Sequence, residues 1–410
     1  MCRNTGFRQG AHSVPAFKIP PYFVFLLSGT VSSSSVLWNA DTEKTVYSVD
    51  ISQDGSFVAV GSLDNTFYLY SKEGDLLWKF LANDRALSVD ITPDGAYTAG
   101  GSRDKNIYFF SKEGEVLWTF STQNTVESVA VSFDGSKIIA GSDDGVAYLL
   151  SRKRDLLWKL ETNAPVTAVE ITPDGNYIII GSNDQNIYLL SQDGKLLWSI
   201  ETVGEINSVD ISFDGEYITA GTKNGWIYII SKTGEILYKS KRNEGVINVK
   251  INPSGRYIVA GSREGGVYLI SNEGQQLWKS LEDKGIYSVS INPDGTLIAA
   301  GSMDKIYVLS DKGKEVWSYQ TFDDPNYMYS INSLVFSLDS SSLVSTSREK
   351  VFLFNIGEKK EFDTNRYISD KNDNPNEYES NQETVETKEN TTKETKGIFD
   401  IILRLLGIRK

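Results

Sequence analysis

The chain has 410 residues, 40% of them apolar and 23% charged, enough to bury one large core or to hold two domains. A net charge of −13 without a basic stripe argues against nucleic-acid binding, because affinity for phosphates rests on clustered Lys and Arg. One cysteine (Cys2) excludes an intramolecular disulfide and a cysteine metal cluster, and one histidine (His12) nearly excludes histidine general-base chemistry and multi-histidine metal sites.

Residues 1–34 open with Arg3, Arg8 and Lys18 ahead of "YFVFLLSGTV" (22–31) and a run of serines. A basic start, a short apolar run and small residues describe a secretory signal, and the run is too short to span a bilayer. The expectation is therefore an exported or membrane-associated protein. The alternative is a cytoplasmic chain in which "FVFLLS" is a vestigial strand.

From residue 35 the chain repeats. Tryptophans fall at Trp38, Trp78, Trp118, Trp158, Trp198, Trp278 and Trp317, with Tyr238 filling the gap, in steps of forty residues and a last step of thirty-nine. Gly-Ser or Gly-Thr pairs keep the same beat from Gly61 to Gly301. A period near forty means one supersecondary unit per repeat. Within a unit, "VYSVDIS", "FVAVGS", "TFYLYS" and "DLLWKF" read as short strands, separated by Asp-Gly and Glu-Gly turn chemistry. A four-stranded meander at this period is a propeller blade.

Seven units are complete. An eighth, at 330–356, supplies three strands, and "SVLWNA" (35–40) is a fourth strand without its first three. Joining these fragments predicts an all-β, eight-bladed propeller over residues 35–357, its ring closed by a composite blade from both chain ends. Closure removes the sheet edges that would otherwise template aggregation.

The first halves of the units, such as "SVDITPDGAYTAGGS" (88–102), resemble the first half of a WD repeat. The second halves, such as "IYLLSQDGKLLWSI" (187–200), resemble the pyrroloquinoline-quinone (PQQ) repeat with its tryptophan-docking motif, Gly194 preceding Trp198 by four. The resemblance covers about 320 residues. It implies that each Trp packs across the seam between blades and that its indole N–H finds a backbone acceptor. Arg154 stands where unit 3 should have the docking Gly, and Tyr238 where unit 5 should have its Trp, so those two seams are expected to be looser.

Quinoprotein enzymes of that family hold PQQ over Ca²⁺, many with a disulfide of adjacent cysteines beneath it. Nothing here maps onto that arrangement, and the expectation is no cofactor, no metal site and no catalytic residues. Acids recur at one first-strand position, as Asp50, Asp90, Glu170 and Asp210, where other units carry Ala130, Lys250, Ser290 and Val335. They read either as attractors of a cation or basic peptide in the central channel, or as polar seam residues bonded to the next blade. Ser71 and its equivalents, without a nearby His, read as turn caps.

Two features break the repeat. The connection "YQTFDDPNYMYS" (319–330) is about five residues longer than its counterparts and holds Asp323, Asp324, Tyr327, Met328 and Tyr329. Trp226 opens a third strand on the same face of the ring. Aromatics beside acids are candidate partner anchors. Beyond the repeats, 358–397 is acidic and Asn/Thr-rich, a disordered linker by composition. Residues 398–410, "IFDIILRLLGIRK", form an amphipathic helical pattern in which Ile398, Phe399, Ile401, Ile402, Leu405 and Leu406 are apolar. A helix this short needs a surface, either a membrane interface or a protein groove. The reading is a non-enzymatic, monomeric scaffold for protein partners, tethered by this helix. Its rivals are an enzyme or ligand-binding protein with a channel site, and an intracellular assembly hub of WD type.

Overall fold

The computed structural model describes residues 35–242, 244–321 and 330–357. Within them thirty-two strands form eight four-stranded antiparallel sheets. Seven sheets are contiguous meanders: blades 1 to 7 span 46–81, 86–121, 126–161, 166–201, 206–241, 246–280 and 288–320. The eighth takes its inner three strands from Leu334–Phe336, Ser342–Ser347 and Lys350–Asn355, and its outer strand from Ser35–Asp41. The ring is an eight-bladed propeller closed between the two ends of the chain.

First strands are innermost and face the axis. They begin on what is called here the entry face, which carries the fourth-to-first connections. They end on the opposite, exit face, which carries the first-to-second and third-to-fourth turns. Ser35 starts its strand and Asn355 ends its strand on the exit face, so both ends of the ring leave from that side.

The core lies in the seams. Each buried cluster joins two neighbouring blades, as when Phe109 and Trp118 of blade 2 pack with Val126, Ile138 and Leu150 of blade 3. The Gly-Ser beat has its cause here: a Cβ on Gly181 would stand 2.5 Å from Ile206 Cγ2 of the next blade, so only glycine permits the approach. Blade 8 differs, its middle strand carrying the buried polar residues Ser345, Thr346 and Ser347. At its first turn Asp339 Oδ1 accepts from Ser337 Oγ at 2.7 Å and from Ser341 N at 2.9 Å, and Ser340 stands where every other blade has a glycine.

Every outer strand carries a β-bulge. In blade 1 Leu69 pairs with Trp78 and Tyr70 with Leu76, leaving Leu77 unpaired, and the register slips likewise in all eight blades, including at Leu37. The slip exposes both residues before the Trp: Leu76 and Leu77, Leu156 and Leu157, and Leu196 and Leu197 are all about two-fifths exposed or more. A bulge twists an edge and interrupts its pairing pattern, which protects it from edge-to-edge association.

Candidate functional site

The axial channel holds two vestibules separated by a charged belt. The entry vestibule, of about 270 Å³, is lined by first-strand starts such as Ser48, Glu127, Thr167, Asn207 and Asn332. The exit vestibule, of about 200 Å³, is lined by Phe133, Pro173, Phe213, Pro253 and Leu338. Asp50, Asp90, Glu170 and Lys250 line both, so the belt sits between them.

The belt's acids divide by length and partner. Asp50 Oδ2 accepts from Ile91 N of the next blade at 2.9 Å, Asp90 Oδ2 from Val131 N at 2.6 Å, and Asp210 Oδ2 from Ile251 N at 2.7 Å. These three are seam residues. One level nearer the entry face, Ser48, Ser88, Ser128, Ser208, Asn248, Ser288 and Ser333 accept from the next blade in the same way. Blade 4 breaks both rows, with Ala168 at one level and Glu170 at the other. Thr167 Oγ1 holds that seam instead, donating to Ile206 O at 2.7 Å.

Released from the seam, Glu170 Oε2 faces Lys250 Nζ at 3.8 Å, and Lys250 stands equally 3.8 Å from Asp210 Oδ1. Lys250 is the belt's cation, held above its ordinary pKa by Asp210 first and Glu170 next. Burial pushes Glu170 up to about 7, with Asp210 and Asp50 adding repulsion that Lys250 opposes. Burial also raises Asp50 and Asp90, and Asp90 is raised further by the charge of Asp50, to which it is hydrogen-bonded. The physical consequence is that the pair resists carrying two negative charges. Sequence reading singled out the four acids but not their counter-ion, because Lys250 occupies the same repeat position as they do.

The exit mouth is apolar. Phe133 of blade 3 and Phe213 of blade 5 meet edge-on, centroids 5.1 Å apart, across Pro173 of blade 4. Proline alternation builds this rim: Gln53, Phe133 and Phe213 donate their N–H groups to the carbonyls of Pro93, Pro173 and Pro253 in the following blades. The entry mouth carries Glu127, whose pKa is pushed up to about 7 by burial first and by Asp143 next, with Arg103 opposing. Among the described residues no three His, Cys, Asp or Glu side chains are grouped to hold a metal ion.

At the perimeter the indole N–H of Trp38 donates to Lys72 O of the next blade at 2.9 Å. Trp78, Trp118, Trp158, Trp198 and Trp278 repeat this to Lys112, Arg152, Gln192, Lys232 and Asp311. The turn glycine lies against the ring, so that a Cβ on Gly194 would stand 2.7 Å from Trp158 Cγ. Trp317 has no such bond among the described residues and instead packs on Phe354, centroids 5.0 Å apart. Both irregular seams keep contacts between their blades. Arg154 adopts φ 75° in place of glycine while Trp118 keeps its bond at 2.8 Å. Tyr238 takes a bond from Arg242 Nη2 at 3.1 Å, and that guanidinium lies 4.1 Å over the Tyr268 ring.

Trp226 begins the third strand of blade 5 and is half-buried, with Lys239 Nζ 4.7 Å over its ring. The other partner candidates, Asp323, Asp324, Tyr327, Met328 and Tyr329, lie outside the described residues. So do the residue 1–34 segment, the 358–397 linker and the helix candidates Ile398, Phe399, Ile401, Ile402, Leu405 and Leu406. Among the described residues no helix is long and apolar enough to cross a membrane.

A ring of this blade number, seamed by Trp-to-backbone bonds, defines a PQQ-repeat-like propeller. In keeping with that class, residues 183–365 match the family model of the outer membrane protein assembly factor BamB. Residues 101–224 match a family of unknown function, and residues 29–131 match the lambda-carrageenase beta-propeller domain. No curated protein matches the chain. Among solved structures it is similar to the computationally designed Ika8 protein, at 17% identity and a TM-score of 0.67, over 77% of this chain and 98% of that one. A likeness at that identity carries the fold alone.

Proposed function

We propose that the protein is a non-enzymatic scaffold that binds other proteins, with the linker at 358–397 and the amphipathic segment at 398–410 tethering it to a membrane surface or a partner. The observation that carries this reading is the perimeter. Bulged outer strands display exposed aliphatics around the ring near the exit face, in pairs on blades 1 to 4, whereas three of the four belt acids are committed to seams. Exposed apolar surface recurring in this way suits protein contact better than turnover. The similarity of residues 183–365 to a protein assembly factor supports the same reading and, with the character of residues 1–34, favours an exported or membrane-associated protein. Trp226, on the entry face, and the acid-aromatic connection at 323–329 are further contact candidates.

The test is photo-crosslinking in the native cell from Leu77, Leu157 and Leu197, with Ser128 in the channel as control. Perimeter positions are expected to capture discrete proteins. Capture confined to Ser128, or a small molecule turned over in the channel, would replace the scaffold with a channel enzyme. Deleting 398–410 separates the two tethers: loss of membrane association alone indicates a lipid surface, and loss of a protein complex alone indicates an intracellular hub.

A further inference from the structure

The third-to-fourth turn of blade 3 is unlike its counterparts. It reads Arg152-Lys153-Arg154-Asp155, where other blades have Lys-Glu-Gly-Asp, Lys-Glu-Gly-Glu, Gln-Asp-Gly-Lys, Lys-Thr-Gly-Glu, Asn-Glu-Gly-Gln and Asp-Lys-Gly-Lys. Three successive cations thus stand on a chain of net charge −13. The backbone holds Arg154 at φ 75°, a region where a side chain costs about 1 kcal/mol relative to glycine. The cost is borne in a place where every other turn of this kind in blades 1 to 7 has the glycine that avoids it.

The substitution remakes the seam surface. A cleft of about 560 Å³ opens there, lined by Tyr97, Leu117 and Trp118 of blade 2 and by Arg152, Lys153 and Arg154 of blade 3. Its chemistry is divided. Trp118 is 8% exposed, and its indole N–H is already spent on Arg152 O, so it offers only ring surface. Arg152 lies over Tyr97 at 4.7 Å and donates Nε to Gly135 O at 3.1 Å and Nη2 to Asp134 O, which fixes it as a wall. Lys153 and Arg154 are exposed, and their side chains make no hydrogen bond or ion pair with the described residues. The cleft therefore has an aromatic and aliphatic floor with two uncommitted cations at its rim.

We infer that this cleft seats an extended acidic segment of a partner protein, a conclusion that rests on the scaffold reading and supplies the partner's chemistry. Charge complementarity selects an anion. The neighbouring backbone selects a peptide, because Leu117 and Trp118 belong to the outer strand Val116–Ser121, whose outer edge has no ladder partner. Past the bulge at Leu117 that strand pairs regularly, from Trp118 to Ser121, leaving a short edge for main-chain bonds. An added strand along Trp118–Ser121 would turn one set of alternate side chains to the floor beside Trp118 and leave the other set's carboxylates within reach of Lys153 and Arg154 at the rim.

The experiment uses the full chain and a labelled peptide of about eight residues alternating Glu and Leu, long enough to pair with one edge strand. Binding read by fluorescence anisotropy should weaken as salt rises, and should vanish when Lys replaces Glu or when alternate peptide amides are N-methylated. Arg154→Gly restores the repeat's own residue, so the fold is kept and melts higher, yet affinity should fall about tenfold. Lys153→Glu on that background should abolish binding. Equal affinity in Arg154→Gly overturns the proposal. So does preference for phosphatidylglycerol vesicles or dextran sulfate over the peptide, or peptide binding that emerges only after deletion of 358–397, which would make the chain's own acidic segment the occupant. None of these outcomes touches the perimeter crosslinks, so the cleft can fail while the scaffold stands.

Discussion

Lys350 Nζ lies 2.5 Å from Asp41 Oδ1, joining residues 309 positions apart where the last inner strand meets the first strand of the chain. The ion pair marks the closure without accounting for it. Asp41 is exposed and Lys350 half-buried, and a surface pair of this kind contributes about 0–1 kcal/mol. The closure is held by the ladder between Ser35–Asp41 and Lys350–Asn355 and by Trp38, which packs with Tyr70 at 5.5 Å and bonds to Lys72 O.

Two substitutions separate these contributions. Lys350→Ala is expected to leave the thermal midpoint almost unchanged. Trp38→Ala removes a large half-buried ring and orphans a carbonyl, and should cost about 3–5 kcal/mol in chemical denaturation. A Lys350→Ala effect as large as that of Trp38→Ala would place the closure in the ion pair.

The blade count and the composite closure were legible because each unit must solve the same packing problem at the same spacing. Gly181 and its equivalents admit the next blade, Trp198 and its equivalents reach the next turn, and the chain repeats them every forty residues. The bulges had a signal in the sequence: two successive aliphatics before five of the seven tryptophans, as in Leu196-Leu197-Trp198, interrupt the period-two alternation that a regular strand requires. The site was half legible. Acids at Asp50, Asp90 and Asp210 were weighed both as channel ligands and as seam bonds, and periodicity alone does not say which backbone amide faces them. Lys250 was invisible as their counter-ion, because charge compensation across the axis joins blades far apart in sequence.

That compensation is testable. Lys250→Met leaves Glu170 and Asp210 without their cation at the channel's middle. Breaking a fully buried pair costs 3–5 kcal/mol; the Lys250 side chain keeps 36% exposure, so about 2 kcal/mol is expected at pH 8. As pH falls below about 7 Glu170 takes up a proton, and part of the loss should be recovered. The double variant Lys250→Met with Asp210→Asn should also recover at pH 8. A loss independent of pH would show that Lys250 acts through packing alone.

The seam glycines make a reciprocal pair of predictions with Arg154. Gly194→Ala forces a Cβ to 2.7 Å from Trp158 Cγ at φ 79°, and should destabilise by about 1–3 kcal/mol. Arg154→Gly relieves the same conformation at φ 75° and should stabilise by about 1 kcal/mol. Paired urea titrations check both. If Arg154→Gly destabilises, the Arg154 side chain contributes more to the seam than its backbone conformation costs.

Glu127 sets the pH dependence of the entry mouth. Its pKa rises from an ordinary 4.5 to about 7 through burial and the neighbouring Asp143, against Arg103. The folded protein therefore holds this proton more tightly than the unfolded chain does. Between about pH 4.5 and 7 the native state carries more bound protons, so stability falls as pH rises through that window and levels off above it. Glu127→Gln keeps the protonated shape and removes the titration. It should be more stable than the parent at pH 8 by about 1 kcal/mol, after discounting for partial exposure, and indistinguishable from it near pH 4.5. Thermal midpoints of both proteins across that range decide the matter. Parallel curves would mean that Glu127 does not carry this pH dependence.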